Sequence, residues 1–181
     1  MNPFIETDRL ILRPLTFDDA DIAFNGWVGD LEVSEYVSWL PLHSLDETIE
    51  WLKDIEWKFD ADGNLIHNDN YIWGFVLRET GELFGSGGLI WEEDLQLFQV
   101  GYNIMKNHWN KGYTTEAMRV ILQFGAKNLG IKKVAGGHAK ANFGSAKVLE
   151  KLGFVYDRDD IVPHVDGTRS FDSCEYFLEL E

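Results

Sequence analysis

The stretch W-N-K-G-Y-T-T-E, residues 109–116, follows an apolar run at 97–105 and opens a long amphipathic segment that ends near Gly130. A strand that stops at a short glycine-containing turn and passes straight into a helix leaves several backbone N–H groups unpaired. They point the same way, beside the positive end of the helix dipole. Such a turn is an anion cradle, and the guest that suits it is the phosphate part of a cofactor.

Charge supports an anionic guest here and excludes others. The net charge of −15 opposes nucleic acid or an anionic membrane as a general partner. Residues 101–153 nevertheless carry nine lysines and arginines against Glu116 and Glu150, a surplus of seven positive charges, which leaves −22 on the rest. Solvated basic helix faces account for part of this island. The remainder favours an anionic ligand on the segment and a cationic one met by the rest of the chain.

A length of 181 residues with 45% hydrophobic content suits a single domain over 1–181 with a sizeable core. The lone cysteine, Cys174, excludes an internal disulfide framework; it reads as a small side chain in a terminal strand rather than a nucleophile. No signal peptide or run of about 18 apolar residues is seen, so a cytoplasmic location is expected.

Strands are expected around Leu10 and Leu12, at 71–78, 83–91 and 95–104, then at 132–138, 154–161 and 171–180. The 71–104 strands are joined by E-T-G-E and E-E-D turns of hairpin length. Helices are expected from near Phe17, with Asp18, Asp19 and Asp21 in the first turn, and at 44–59, 114–129 and 144–152. In the 44–59 helix Ser44 and Glu47 suit a capping box, and Leu45, Ile49, Leu52, Ile55 and Phe59 share a face. The polar turn at 60–64 lacks the further acidic ligands of a calcium loop, so no metal is expected. Gly85, Gly87 and Gly88 complete neither a Walker nor a Rossmann loop and mark a bulge or a close backbone approach. The whole is an α+β, mixed α/β domain.

The order strand, W-N-K-G-Y-T-T-E-A, helix, strand, A-N-F-G-S-A-K-V-L-E-K-L-G-F resembles the GNAT superfamily of acetyl-CoA-dependent N-acetyltransferases. With Trp109, Asn142 and Ser145, the opening E-T-D-R-L-I-L-R-P resembles the branch that acetylates N-terminal amines of ribosomal proteins. The resemblance implies a twisted mixed sheet of about seven strands flanked by helices, splayed between the fourth and fifth strands, 95–104 and 132–138. Pantetheine would pair with the edge at Ile104 and Met105 as an added strand. Trp109, Asn110, Lys111, Gly112, Tyr113, Thr114 and Thr115 would hold the pyrophosphate, joined by Asn142 and Lys147.

The loop departs from the usual Q/R-x-x-G-x-G/A: Trp109 replaces the polar residue, and Thr114 offers a hydroxyl for a phosphate or for capping the helix. Many relatives carry a Tyr, seven residues after the Asn, that protonates the departing thiolate; this chain has Leu149 there. Ser145, one turn earlier on that face, matches the serine given the acid role in the ribosomal-protein branch, with helix N-terminal capping as its structural alternative. Asn142 suits a cap and the holding of pantetheine or acceptor together. The base is not evident. Gln99 stands where relatives often have Glu, so the candidates are His138, the Glu92, Glu93 and Asp94 turn, and His164 and Asp172 of the terminal hairpin, each with a structural reading beside it.

Direct transfer of acetyl from acetyl-CoA to a primary amine is the expected function. A protein or peptide N-terminus is the first acceptor, and a polyamine-like or aminoglycoside-like small amine the alternative. A non-catalytic acyl-CoA sensor is the contrasting class, favoured by Gln99 and Leu149 and opposed by Ser145. A phosphate hydrolase lacks its lysine and magnesium-binding hydroxyl. A homodimer is compatible with the sequence.

Overall fold

The computed structural model describes residues 2–62, 65–66 and 68–181. Gly63 and Asn64 of the expected polar turn lie outside the described residues. One mixed sheet contains β1 (Ile5–Glu6), β2 (Leu10–Pro14), β3 (Asn70–Leu77), β4 (Leu83–Glu92), β5 (Leu97–Ile104), β6 (Lys133–Ala139), β7 (Val155–Pro163) and β8 (Ser170–Glu179). Their spatial order is β1-β2-β3-β4-β5-β6-β8-β7. The strand added to the expected set is β1, two residues paired with Ile11 and Leu12.

Every neighbouring pair is antiparallel except β5 and β6. A parallel pair needs a crossover, and α3 (Tyr113–Leu129) supplies it, stopped by Gly130 in the left-handed conformation at φ 69°. The expected inward residues Ala117, Met118, Ile121, Leu122 and Gly125 are all buried. The other helices are α1 (Ala20–Ala23), which runs between tight and wide turns at 17–19 and 24–28, α2 (Leu45–Asp54) and α4 (Phe143–Leu152).

Residues of β3 are buried on both faces because helices cover both. Trp73 and Phe75 pack with Leu89, Met118, Ile121, Val134 and Leu149 beneath α3 and α4. Ile72 and Val76 pack with Ala23, Trp27 and Leu52 beneath α1 and α2.

The second helix is shorter than its pattern predicts. Ser44 Oγ accepts from Glu47 N at 3.2 Å, but the Glu47 carboxylate accepts from His43 N at 2.7 Å, so only half of the capping box forms. The helix ends at Asp54 instead of Phe59 because Trp57 turns into the sheet. Its Nε1 donates to Ile72 O at 2.8 Å and its ring meets Trp73 edge-on at 4.7 Å. Burying an aromatic of this size is worth roughly 4–6 kcal/mol by area. Extending the helix through a few residues gains only tenths of a kcal/mol each in propensity.

Both readings of the glycine run hold, at different positions. A Cβ on Gly88 would stand 1.9 Å from Tyr71 O, a close backbone approach. Phe75 pairs with Gly85 and Val76 with Leu83, so Phe84 is the extra residue of a bulge.

Candidate functional site

The turn before α3 has the conformation of an anion cradle. Asn110 and Gly112 both have positive φ, 62° and 80°. Gly112 is the N-cap and supplies no side chain, and the first helical bond runs from Glu116 N to Gly112 O at 3.1 Å. The N–H groups of Tyr113, Thr114 and Thr115 therefore donate to nothing among the described residues. Thr114 is buried inside the first turn, which excludes the reading of it as the cap. Lys111 is exposed beside the cradle.

Next to the cradle the sheet opens. β5 and β6 pair only at Phe98–Val134 and Gln99–Ala135 before they diverge. Met105 N donates to Phe84 O at 2.8 Å. In an antiparallel ladder this fixes the alternation, so odd-numbered peptide groups of β5 face β4 and those of Tyr102 and Ile104 face the gap. Trp109 Nε1 donates to Ile104 O at 3.0 Å, so the indole that replaces the usual polar side chain closes the end of the gap. Of the two expected edge residues, Ile104 keeps its N–H toward the gap, whereas Met105 is turned to β4.

Ser145 stands at this gap. Asn142 is the N-cap of α4, its Oδ1 accepting from Ser145 N at 3.0 Å, so the Ser145 hydroxyl is released from capping. That hydroxyl lies 2.6 Å from Tyr102 Oη, a partner that no local sequence signal announces because 43 residues separate the two. Burial pushes the Tyr102 phenol up to about 12 despite the bond to Ser145, which keeps it a hydrogen-bond donor at neutral pH. Leu149, at the position of the family's tyrosine, is fully buried. Lys147 is exposed on α4.

The residues fit the coenzyme: unpartnered amides and a glycine with left-handed φ at the cradle, an open strand edge, and a hydroxyl at the gap. Residues 9–155 match the model of the acetyltransferase (GNAT) domain. The chain belongs to the GNAT acetyltransferase family. It is 28% identical over 155 residues to the uncharacterized N-acetyltransferase YoaA of Bacillus subtilis, covering 85% of this chain and 84% of that one. Among solved structures, a GNAT-family acetyltransferase from Bacillus anthracis superposes with a TM-score of 0.79 at 20% identity, covering 97% of this chain and 98% of that one. The spermidine N-acetyltransferase of Vibrio cholerae, solved with CoA and spermine, gives 0.77 at 20% identity, covering 96% and 97%. The chain is therefore an acetyl-CoA-dependent N-acetyltransferase.

In this GNAT chain the two distant motifs of the sequence meet at one carboxylate. Glu116 accepts from Thr7 Oγ1 at 2.6 Å, Arg9 N at 3.0 Å and Arg9 Nε at 2.6 Å. Arg9 Nη1 also donates to Lys111 O at 3.1 Å, and its guanidinium lies 4.6 Å from the Tyr113 ring centroid. Partial burial would raise the Glu116 carboxyl, but the bonds from Thr7 and Arg9 hold it below the ordinary range. The opening segment thus clamps the cradle from outside.

The remaining candidates scatter. His138 Nδ1 lies 2.8 Å from Ala139 O and Nε2 lies 3.2 Å from Tyr176 Oη, so both ring nitrogens have partners. Glu93 accepts from Trp91 Nε1 at 2.8 Å, and the turn it shares with Glu92 and Asp94 lies at the paired end of β5, roughly 20 Å of strand from Ile104. Gln99 sits at the fork itself. His164 is buried against Phe171, and Asp172 accepts Lys140 N through its carbonyl at 2.8 Å. Partial burial and Asp159 push the half-buried Cys174 thiol up, which opposes a thiolate nucleophile. Among the described residues no three His, Cys, Asp or Glu side chains group as a metal site, and no helix is long and apolar enough to cross a membrane.

Proposed function

We propose that residues 1–181 act as one N-acetyltransferase domain that transfers acetyl directly to the α-amine at the N-terminus of a protein or peptide in the cytoplasm. The observation that carries the direct transfer is the Ser145 hydroxyl, held by Tyr102 at 2.6 Å where β5 leaves β6. Tyr113, Thr114 and Thr115 offer N–H groups to the pyrophosphate, with Lys111 and Lys147 as charge partners. Ile104 N–H and the Tyr102 peptide pair with pantetheine, and Asn142 keeps its amide N–H groups for the same arm. In this reading the Tyr102 hydroxyl, 2.6 Å from Ser145 Oγ, serves as donor to it, which leaves the serine proton for the leaving sulfur, while an N–H of β5 stabilises the oxyanion. Proximity supplies much of the rate and no acyl-enzyme is required.

Ser145→Ala is expected to lower kcat about ten- to a hundredfold with little change in KM for acetyl-CoA, because a thiol of pKa near about 8.5 needs only modest help to leave. Thiol release measures this. Wild-type turnover would leave Ser145 with no part in the chemistry.

The acceptor choice rests on the proton acceptors. Both nitrogens of His138 are engaged and Gln99 takes no proton, so a strong base is lacking. At pH 7 an α-amine is roughly a tenth neutral, and a lysine amine only about four parts in ten thousand. A site with a modest base therefore favours the α-amine. The −22 outside residues 101–153 favours a second reading, a small polyamine, drawn by charges away from the reacting nitrogen. A peptide bearing a free N-terminus and an internal lysine, in competition with spermidine and read by mass spectrometry, should be acetylated mainly at its N-terminus. Predominant lysine acetylation would overturn the preference, and predominant spermidine acetylation would establish the second reading.

A further inference from the structure

Transfer to an amine that arrives protonated needs a group to take its proton, and a carboxylate meets the fork from β8. Glu175 is paired directly with Gly137 of β6. A Cβ on Gly137 would lie 2.9 Å from both oxygens of the Glu175 carboxylate, so the carboxylate covers the bare glycine instead of extending into water. Gly137 is two residues beyond Ala135, the last residue of β6 paired with β5. The carboxylate therefore stands where the sheet has just opened.

It also stands on a defined face. Gln99 is paired with Ile90 on one side and Ala135 on the other, and Ile90 packs with Leu52, Ile72 and Val76 beneath α1 and α2. Strand side chains alternate, so Gln99, Ala135, Gly137 and Glu175 share that face, while Gly136, whose Cβ would meet Leu149, lies on the face of α4 and Ser145. Glu175 and Ser145 thus flank the gap from opposite sides of the sheet. On the Glu175 side, Gly101 and Gly137 add no side chains of their own; Ile90 Cδ1 covers the Gly101 position and the Glu175 carboxylate the Gly137 position.

Its partners hold it without neutralising it. Ser173, 2% exposed, donates from Oγ to Glu175 Oε1 at 2.6 Å. The neighbour across β7 is Arg158, whose guanidinium is turned to Asp157 and Asp160. Among the described residues no cation pairs with Glu175, and Oε2 is uncommitted.

The geometry points to Glu175 as the catalytic residue that binds the acceptor ammonium and removes its proton, a role that rests on the transfer reading of the gap given above. One ammonium proton passes to the carboxylate. The freed nitrogen pair forms the C–N bond while the C–S bond breaks with its electrons on sulfur. The nitrogen sheds its second proton as sulfur gains one through the Ser145 hydroxyl, and Glu175 returns its own to water. Ammonium and thioester thus give amide, thiol and one proton.

The test measures thiol release by Glu175→Gln, Glu175→Asp and the wild type across pH 6–9, with an alanine-leading peptide whose lysines are blocked and, in a second arm, spermidine. Glu175→Gln is expected to lose about ten- to a hundredfold in kcat/KM for the acceptor at pH 7. The deficit should shrink toward about pH 9, where the α-amine is already neutral. Glu175→Asp should recover part of the rate, and affinity for coenzyme A and Tm should be unchanged. A deficit constant with pH, or no deficit, would overturn the proposal. If the wild type uses spermidine and ignores the peptide, the N-terminal preference falls and the spermidine arm decides Glu175 by the size of the deficit and its rescue by Asp.

Discussion

Gly88→Ala is expected to prevent the protein from folding stably. The added Cβ would lie 1.9 Å from Tyr71 O, 2.8 Å from Tyr71 C and 2.9 Å from Ile72 Cα. These are backbone atoms of β3, so no rotamer change relieves them; β3 and β4 would have to part in the middle of the sheet. The pair packs Tyr71, Trp73, Phe75 and Leu89 in the larger core, so separation opens that core as well. A loss of more than about 4 kcal/mol follows, which in a chain of this size lowers Tm by more than roughly 10 °C. Gly101→Ala is the matched comparison, because its Cβ would lie 2.8 Å from Ile90 Cδ1, the movable end of a side chain. It should cost no more than about 1–3 kcal/mol. A Tm for Gly88→Ala within a few degrees of the wild type, or below which Gly101→Ala falls, would disprove the close approach.

Local features of this fold were legible in the sequence. The period of α3, its glycine stop and the turn before it each depend on residues within one or two helical turns, and they formed where the pattern placed them. Helix α2 ends before its pattern does because burial of Trp57 against Trp73 overrides the continuing periodicity. Strand order was hidden: β8 inserts between β6 and β7, a non-local choice that no segment encodes by itself. The site divides in the same way. The cradle is contiguous and readable, whereas Tyr102 reaches Ser145 from 43 residues away and Glu175 reaches the fork only because β8 pairs with β6. Arg9 and Glu116 were both visible, in separate motifs, and only the folded chain shows that one binds the other.

Gly112→Val is expected to cost at least about a hundredfold in coenzyme A affinity, or roughly 2.7 kcal/mol. Two effects contribute. Gly112 has φ 80°, a conformation that a β-branched residue adopts only at about 1–3 kcal/mol, so the turn relaxes and the N–H groups of Tyr113, Thr114 and Thr115 lose their common direction. The side chain also projects from the cradle, where the nearest atom to its Cβ, Arg9 Nη2, is 3.6 Å away and the space is otherwise that needed by an approaching phosphate. Strain alone does not predict where the loss falls, and Gly130 separates the two effects. It has φ 69° and no atom within 4 Å of its Cβ position, and it caps the opposite end of the same helix. Gly130→Val should therefore lower Tm by a similar amount and leave coenzyme A affinity within about threefold of the wild type. Calorimetric titration of both variants with coenzyme A decides the matter: undiminished affinity in Gly112→Val, or equal loss in Gly130→Val, would remove the turn before α3 from the binding site.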